Sequence, residues 1–327
     1  MAICRATLFG LCLAALPVLA QDVPPARTVL DLADGVSLLP GSFERGRQPD
    51  GNSLLLRGSD GLVIIDTGRH AEHAQALVDW VRRQPVPLKA VVNTHWHLDH
   101  LGGNARLRRE WPGLPSVASQ ALRDAVQDDM PRSEAGLRQM LTDPAVDATT
   151  RRMVDIDLAL YAERSQFLPT TVLGPPAQDL DLGGRRLRVG VERGPTRGDL
   201  WVLDRASGVL AIGDFITLPV PFLDTACPAD WLAAMARLEA LPFDRVVPGH
   251  GPVLDRSGFV RYHKALRGLI DCAAGTSAVA ACAQRWIDDL GPLLPAGAQR
   301  SVTPMLTHYF EDRLRAPPEA RALHCRP

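Results

Sequence analysis

The chain has 327 residues, which is enough for one large mixed α/β domain with an appended element. Its 36 Lys and Arg residues nearly balance its 37 Asp and Glu residues, so the formal net charge is -1. This balance gives no electrostatic reason to expect nucleic acid or an anionic membrane surface as a partner. The sequence contains no internal repeat and no low-complexity segment, and it does not indicate an oligomeric state.

The first twenty residues have the pattern of a secretion signal. Arg5 supplies the positive end, an apolar run extends from Ala6 to Leu19, and Val18-Leu19-Ala20 is a suitable cleavage site. A membrane anchor is the alternative, but the run is short for a span and nothing similar recurs. We therefore expect a signal peptide over 1–20, cleavage near Ala20, and a periplasmic or secreted protein.

Four cysteines remain after the predicted cleavage, namely Cys227, Cys272, Cys282 and Cys325. They allow three pairings. We favour Cys272 with Cys282, which are close in sequence, and Cys227 with Cys325, which would tie the tail to the body. The alternative is four small buried thiols, but an oxidising compartment favours disulfides.

The segment from 30 to 92 alternates short apolar runs with turn residues. Strands are predicted over 36–39, 53–56, 62–65 and 88–92, and a helix over 71–83. Asp66 ends the third strand, where an Asp-x-Gly turn is the simpler interpretation. His70 and His73 stand at the start of the helix, and we expect both on the surface, although His70 is close to the Asp66 loop.

The stretch from 93 to 104 reads Asn-Thr-His-Trp-His-Leu-Asp-His-Leu-Gly-Gly-Asn. Alternate residues of an extended segment point the same way, so His95 and His97 can bind one ion together. Asp99 and His100 then turn toward a neighbouring position. Neutral imidazole and carboxylate suit zinc, iron or manganese. A solvated loop that happens to be rich in histidine is the alternative.

The rest of the chain contains further helices and two more informative strand ends. Helix-compatible pieces cover 119–127, 133–141 and 149–164, strands are predicted at 200–203 and 209–212, and Asp230 can cap a helix over 231–241. Asp214 follows the second of these strands, and His250 lies between two glycines after another apolar run. Helices over 258–270, 278–290 and 302–315 form a C-terminal extension, with His263, His308 and His324 as surface or packing residues.

These motifs resemble the metallo-β-lactamase superfamily. The histidine cluster matches its His-x-His-x-Asp-His signature, Asp66-Thr67-Gly68 its early Asp-Thr-Gly, and the strands before Asp214 and His250 its later ligand-bearing strands. The resemblance covers residues 36 to 254. It implies an α+β fold, the four-layer αβ/βα sandwich of two mixed sheets. Together with the residue patterns above, it gives the expected organisation: a signal peptide at 1–20, this domain at 21–255 and a helical extension at 256–327.

The resemblance also implies a ligand set. His95 and His97 would serve a first metal site, and Asp99, His100 and His250 a second, with Asp214 bridging them and Asp66 orienting a ligand from behind. The family's remaining first-site histidine falls on Pro195, which has no donor atom for a metal. We therefore expect firm zinc binding at the second site and weaker or conditional binding at the first. Glu192 and His70 are candidates to replace the lost ligand; alternatively, both face solvent.

The function implied is that of an exported, zinc-dependent hydrolase acting on a small-molecule ester, thioester, lactone or lactam through a metal-bound hydroxide. Asp99 or Asp214 would orient the water and move a proton. Aspartate at 214 resembles the glyoxalase-II-like hydrolases, whereas true zinc β-lactamases carry cysteine or serine, so β-lactams are not the expected main substrate. The alternatives are a metal-depleted ligand- or partner-binding module and a redox enzyme, which would need an intact di-iron site. The segment between 115 and 169 would either cover the mouth of the site or serve packing only.

Overall fold

A computed structural model describes residues 28–44, 46–295, 297–321 and 325. The predicted secretion signal and His324 lie outside this range. Within it, no helix is both long enough and apolar enough to cross a membrane.

A seven-stranded mixed sheet forms the first half of the domain. Its first four strands pair antiparallel and the next three continue in parallel, so the strand order follows the chain order. The predicted strands at 36–39, 53–56, 62–65 and 88–92 are confirmed. The strands are β1 (Leu30–Ala33), β2 (Val36–Leu39), β3 (Ser53–Arg57), β4 (Leu62–Ile65), β5 (Leu88–Val92), β6 (Ser116–Ser119) and β7 (Thr171–Leu173).

A six-stranded mixed sheet forms the second half. Strands that are consecutive in sequence are neighbours in this sheet. They pair antiparallel, except that the fourth and fifth strands in sequence are parallel. The strands are β8 (Gln178–Leu182), β9 (Arg185–Glu192), β10 (Asp199–Asp204), β11 (Val209–Ala211), β12 (Arg245–Val247) and β13 (Leu254–Asp255).

The two sheets pack face to face and carry helices on their outer faces. Inward side chains of both sheets, such as Val36, Leu54, Val202 and Val247, form one buried cluster. Because alternate strand residues point to opposite faces, the outer side chains form two further clusters, each against helices. This arrangement is the predicted four-layer α+β sandwich.

The helices divide between the two outer faces and an insertion beside the metal loop. The first sheet is covered by α1 (Ala71–Arg82) and α3 (Asn104–Glu110), and the short α2 (Leu98–Leu101) precedes α3. The insertion contains α4 (Gln120–Asp124), α5 (Met130–Met140) and α6 (Ala148–Ala162). A π-helical turn at 125–129 joins the first two of these, so the separate pieces predicted at 119–127 and 133–141 form one continuous helical segment.

The second sheet is covered by α7 (Pro228–Glu239) and by the C-terminal extension, which contains α8 (Arg256–Ala274), α9 (Val279–Leu290), α10 (Gln299–Tyr309) and the short α11 (Pro318–Arg321). These helices, apart from α11, share one core with the sheet. The predicted capping of α7 by Asp230 is wrong: Pro228 provides the first helical residue, Cys227 is the capping residue, and Asp230 lies within the first turn.

Two disulfides secure the extension. Cys227 pairs with Cys325 and Cys272 with Cys282, which confirms the favoured pairing. The first bond ties the tail to the start of α7, and the second closes the turn between α8 and α9. The tail is therefore fixed to the segment immediately after the loop from 217 to 226.

Candidate metal centre

The ends of four strands bring the polar residues of the site together. Asp66 follows β4, the histidine cluster follows β5, Asp214 follows β11 and His250 follows β12. Since β4 pairs with β5 in parallel, and β11 with β12, the carboxyl ends of each pair lie at the same edge of their sheet. The face-to-face packing then places both edges beside each other.

Two imidazoles and one carboxylate oxygen form the first cluster. His95 Nε2 lies 2.9 Å from His97 Nδ1. Asp214 Oδ2 lies 3.6 Å from the same His95 nitrogen and 3.9 Å from the His97 nitrogen. All three side chains converge as the sequence predicted. Among the described residues, the ligand atoms of His95 and Asp214 also lie within 4.8 Å of that of His100 from the second cluster, and no replacement for the missing histidine joins them.

The second cluster is more complete. His100 Nε2 lies 3.3 Å from His250 Nε2, and Asp99 Oδ2 lies 3.0 Å from that His250 nitrogen. The other oxygen of Asp214, Oδ1, lies 3.2 Å from His100 Nε2. Asp214 therefore directs one carboxylate oxygen toward each cluster, which is the geometry expected of a bridging ligand.

The electrostatics of the second cluster fit a cation at its centre. Asp214 Oδ1 is buried without a hydrogen-bond partner, and such an oxygen is costly unless it is charged and paired. Burial opposes the charged form of His100, but Asp214, Asp66 and Asp99 outweigh it and raise the pKa of His100 well above its ordinary value. Burial likewise opposes ionisation of Asp214, but His100 and His95 hold its pKa well below the usual range. These shifts indicate that a positive charge is stabilised among ionised carboxylates, and zinc bound to the deprotonated imidazoles would supply that charge instead.

Asp66 orients the second cluster from behind. Its Oδ2 lies 2.8 Å from His100 Nδ1 and accepts a 2.7 Å hydrogen bond from the Thr94 hydroxyl, while Oδ1 accepts from the Thr94 amide at 2.8 Å. Its φ is 62°, an unfavourable backbone conformation for a side-chain-bearing residue. With the Nδ1 proton directed at Asp66, His100 presents the lone pair of Nε2 to the cluster.

Glycines let the backbone approach the ligands closely. A Cβ on Gly249 would lie 2.1 Å from Asp214 Oδ1, and a Cβ on Gly51 would lie 2.5 Å from the His100 ring. Neither ligand could hold its position beside a larger residue. The Gly-His-Gly motif therefore supplies a ligand together with the space for its neighbour.

Where the family has a histidine, Pro195 is buried and its carbonyl oxygen faces Thr225. The Thr225 hydroxyl donates to that oxygen at 2.9 Å and lies 2.9 Å from His97 Nε2. Because the single hydroxyl proton is directed at Pro195, Thr225 accepts from His97 Nε2–H, and the lone pair of His97 is on Nδ1. Thr225 thus orients a first-site ligand but does not replace the missing one.

Neither candidate for replacing the lost histidine belongs to a ligand cluster. Glu192 accepts hydrogen bonds from Arg237 at 3.0 and 2.6 Å. The imidazole of His70 lies 3.2 Å from Asp50. The predicted surface position of His70 and His73 is wrong: both are buried, and His73 Nε2 lies 2.8 Å from the Ser53 hydroxyl.

A buried arginine supports the second cluster from the pocket side. Arg69 Nη2 lies 3.6 Å from Asp99 Oδ1, and its Nη1 pairs with Asp157 from the insertion. Burial lowers the pKa of Arg69, but Asp157 and Asp99 outweigh this effect and raise it above the ordinary value. Burial raises the pKa of Asp99, but His100, His250 and Arg69 together hold it far below the usual range. Asp99 is therefore ionised and fixed in orientation.

The clusters form the floor of a cavity of about 430 Å³. The loop at 219–223 forms one wall, because Pro219, Val220 and Phe222 line the cavity. Ser133, Asp157 and Tyr161 also line it, so the insertion contributes to the pocket in addition to packing. No sequence pattern indicated Thr225, Arg69 or Asp157, because their partners are remote along the chain.

A sandwich of two mixed sheets with helices on its outer faces and His/Asp clusters at its strand ends is the architecture that the sequence resemblance predicted. The chain belongs to the metallo-beta-lactamase superfamily, whose family model matches residues 46–250.

Among curated proteins, it is similar to a hydroxyacylglutathione hydrolase of Parasynechococcus marenigrum (strain WH8102). The two are 38% identical over 53 residues, which cover 16% of this chain and 21% of the relative. It is also similar to a linear primary-alkylsulfatase of a Pseudomonas species (strain ATCC 19151), with 24% identity over 257 residues, 67% of this chain and 44% of the relative. The chain thus spans less than half the length of either relative.

Solved structures share the fold. A metallo-beta-lactamase family protein from Thermus thermophilus superposes with a TM-score of 0.56 at 19% identity, covering 86% of this chain and 93% of the other. A metallo-beta-lactamase from Pontibacter korlensis gives a TM-score of 0.53 at 23% identity, covering 73% and 98%. At these identities the likeness concerns the fold alone.

Proposed function

We propose that the protein is a zinc-dependent hydrolase of an ester, thioester, lactone or lactam. The observation that carries the proposal is the buried Asp214 carboxylate, which directs one oxygen toward each histidine cluster at the floor of a cavity. The names of the curated relatives, a hydroxyacylglutathione hydrolase and an alkylsulfatase, support a hydrolytic reaction.

The second cluster would hold zinc firmly, through Asp99, His100, His250 and Asp214. A first-site ion, bound by His95, His97 and Asp214 alone, would be weaker because Pro195 offers no ligand. Zinc, when bound, would acidify a water and polarise the carbonyl oxygen of the substrate.

The side chains of the chain supply orientation and proton acceptance. In hydrolysis, the oxygen of one water joins the carbonyl carbon, the bond to the leaving oxygen, sulfur or nitrogen breaks, and the water protons divide between the acid and the leaving group. Asp99 and Asp214 are the carboxylates that line the floor of the cavity, so they are the groups that would orient the water and pass on its proton. Arg69 fixes Asp99, and Asp66 fixes the tautomer of His100.

We also propose that the protein is exported. The apolar run at 1–20 supports this, as do the two disulfides, since such bonds persist in oxidising compartments.

The test of the function is turnover of a panel containing a 4-nitrophenyl ester, a thioester, a lactone and nitrocefin by zinc-replete protein. We expect at least one substrate to be hydrolysed. His250→Ala should lower kcat/KM more than about 100-fold, because loss of a metal ligand should cost more than the roughly 10- to 100-fold caused by loss of a residue that only orients a ligand. His308→Ala is the matched control, because that imidazole is exposed and pairs with Asp312. A wild type with no bound metal and no turnover would favour the metal-depleted ligand- or partner-binding module. Bound iron with a visible absorption band would favour a redox enzyme.

A further inference from the structure

The cavity above the metal centre has a polar floor and apolar walls. His97, Asp99, Asp214 and His250 form the floor. The walls come from separate parts of the chain, and their apolar members include Phe43, Trp96, Leu218, Phe222, Met305 and Tyr309. A volume of about 430 Å³ is in the range of small-molecule sites.

The C-terminal extension supplies the wall nearest the first cluster. The Phe222 ring lies edge-on to His97 at 4.9 Å between centroids, and Tyr309 of α10 contacts Phe222 at 6.3 Å. Burial raises the pKa of Tyr309, so its ring stays uncharged. Met305, one turn earlier on α10, also lines the cavity with a flexible, polarisable side chain. An apolar group would thus lie directly beside the reacting centre.

The charged side chains of the cavity are already paired or belong to the centre. Among the described residues that line the cavity, Arg69 is the only arginine or lysine, whereas three carboxylates, those of Asp99, Asp157 and Asp214, line it. Both terminal nitrogens of Arg69 are directed at carboxylates, one at Asp157 and one at Asp99. A substrate carboxylate placed away from the metal centre would therefore be desolvated without a free cation to receive it, and it would be repelled by Asp157.

We propose that the cavity selects a substrate with an uncharged, apolar acyl group of about six carbons, the carbonyl carbon included. Met305, Tyr309 and Phe222 form the apolar subsite, and the Arg69–Asp157 pair excludes a second, anionic group. This inference rests on the proposed hydrolase function where it is tested by ester hydrolysis. The calorimetric test at the end needs only ligand binding.

The kinetic test compares three 4-nitrophenyl esters: the acetate, the hexanoate and the mono-adipate, which has the length of the hexanoate and ends in a carboxylate. We expect kcat/KM for the hexanoate to exceed that for the adipate at least about tenfold, since a buried methylene contributes about a fourfold factor and an unpaired charge opposes binding. Met305→Ala should lower the ratio of the hexanoate value to the acetate value about tenfold, and an unchanged ratio would overturn the assigned subsite. Met140→Ala, at a 44% exposed methionine of α5, is the matched control.

The charge argument has its own variant. Asp157 accepts from Arg69 on one oxygen and from the Gln48 amide at 2.6 Å on the other. Asp157→Asn keeps an acceptor oxygen for Arg69 and turns its NH₂ group toward Gln48, whose side-chain amide must rotate to accept from it, and it removes the charge that neutralises the arginine. We expect the adipate-to-hexanoate ratio of kcat/KM to rise at least about fivefold. Misfolding or loss of metal would lower kcat/KM for both substrates together. An unchanged ratio in a variant that keeps at least about half of the wild-type hexanoate activity would overturn the assigned role of the pair.

Calorimetric binding separates this inference from the hydrolase proposal. Hexanamide and its carboxylate-ended analogue adipamate are titrated into the protein as isolated. If hexanamide binds at least about fivefold more tightly than adipamate, the inference is supported, whether or not any ester is hydrolysed. Binding of hexanamide without hydrolysis of any ester would contradict only the hydrolase proposal. Equal affinities, tighter adipamate binding, or no detectable hexanamide binding would overturn it.

Discussion

Replacing Asp66 with asparagine isolates the group that orients the second cluster. Asparagine tolerates the positive φ of 62° found at this position, so the backbone is not strained further. The aspartate accepts from both Thr94 groups and faces His100 Nδ1. An amide has one acceptor oxygen, so its NH₂ group must take the place of one carboxylate oxygen. It then faces either the Thr94 backbone amide, or both the Thr94 hydroxyl and His100 Nδ1.

The magnitude follows from that mismatch. One buried donor left without an acceptor costs about 1–3 kcal/mol of stability. If the NH₂ group faces His100, the imidazole must place its proton on Nε2, which then cannot bind a metal. Loss of a residue that orients a metal ligand lowers metal affinity roughly 10- to 100-fold. We therefore expect Asp66→Asn to lose both stability and zinc affinity.

The assays are urea unfolding and competition for zinc with a chromophoric chelator. Asp60→Asn is the control, because Asp60 is an exposed aspartate that accepts a hydrogen bond only from its neighbour Ser59 among the described contacts. A zinc affinity within twofold of the wild type would refute the argument that Asp66 sets the His100 tautomer. A change in stability alone would restrict its role to holding Thr94.

Three further variants test other parts of the site. Burial raises the pKa of Asp199 to about 7, so the unfolded chain loses this proton at a lower pH than the folded chain, and the contribution of Asp199 to stability falls by roughly 4 kcal/mol between about pH 4 and pH 7. In chelator-treated protein, the fall in stability between about pH 5 and pH 8 in urea titrations should be smaller by roughly 2–3 kcal/mol in Asp199→Asn than in the wild type, and an equal fall would contradict this assignment. Pro195→His should raise the zinc content of zinc-saturated protein from about one toward two per chain, whereas an unchanged content would mean that the loop does not face the first cluster. Thr225→Val removes the acceptor for His97 and should weaken the first-site ion of the Pro195→His protein about tenfold in chelator titrations, with equal affinities as the opposing result.

The parts of the site that sequence reasoning predicted are those set by local order. His95 and His97 alternate at a strand end, Asp66 and Asp214 each terminate an apolar strand, and His250 stands between glycines. Each pattern can be read within a few residues, and the family resemblance gives their mutual placement. The structure brings all six expected ligands and Asp66 together, although their binding of zinc stays a prediction.

The contacts that could not be predicted join distant parts of the chain. Thr225 and His97 are 128 residues apart, and Arg69 and Asp157 are 88 apart, so no local spacing links them. His70 and His73 stand at the start of a helix, where the sequence pattern predicts exposed residues. The buried carboxylate of Asp50 lies beside them, because an isolated β-bridge between Asp50 and Ser42 holds that segment there. For these two histidines, the predicted surface position is wrong because distant residues bury them.

The most direct measurement is the metal content of protein purified without chelators, determined by mass spectrometry for the wild type, His250→Ala and His308→Ala. A metal site at the second cluster predicts about one zinc per chain in the wild type and in His308→Ala, and less than about a tenth of that in His250→Ala. A wild type that neither retains nor takes up zinc, or a His250→Ala protein with the same content, would contradict the metal centre on which the proposed chemistry depends.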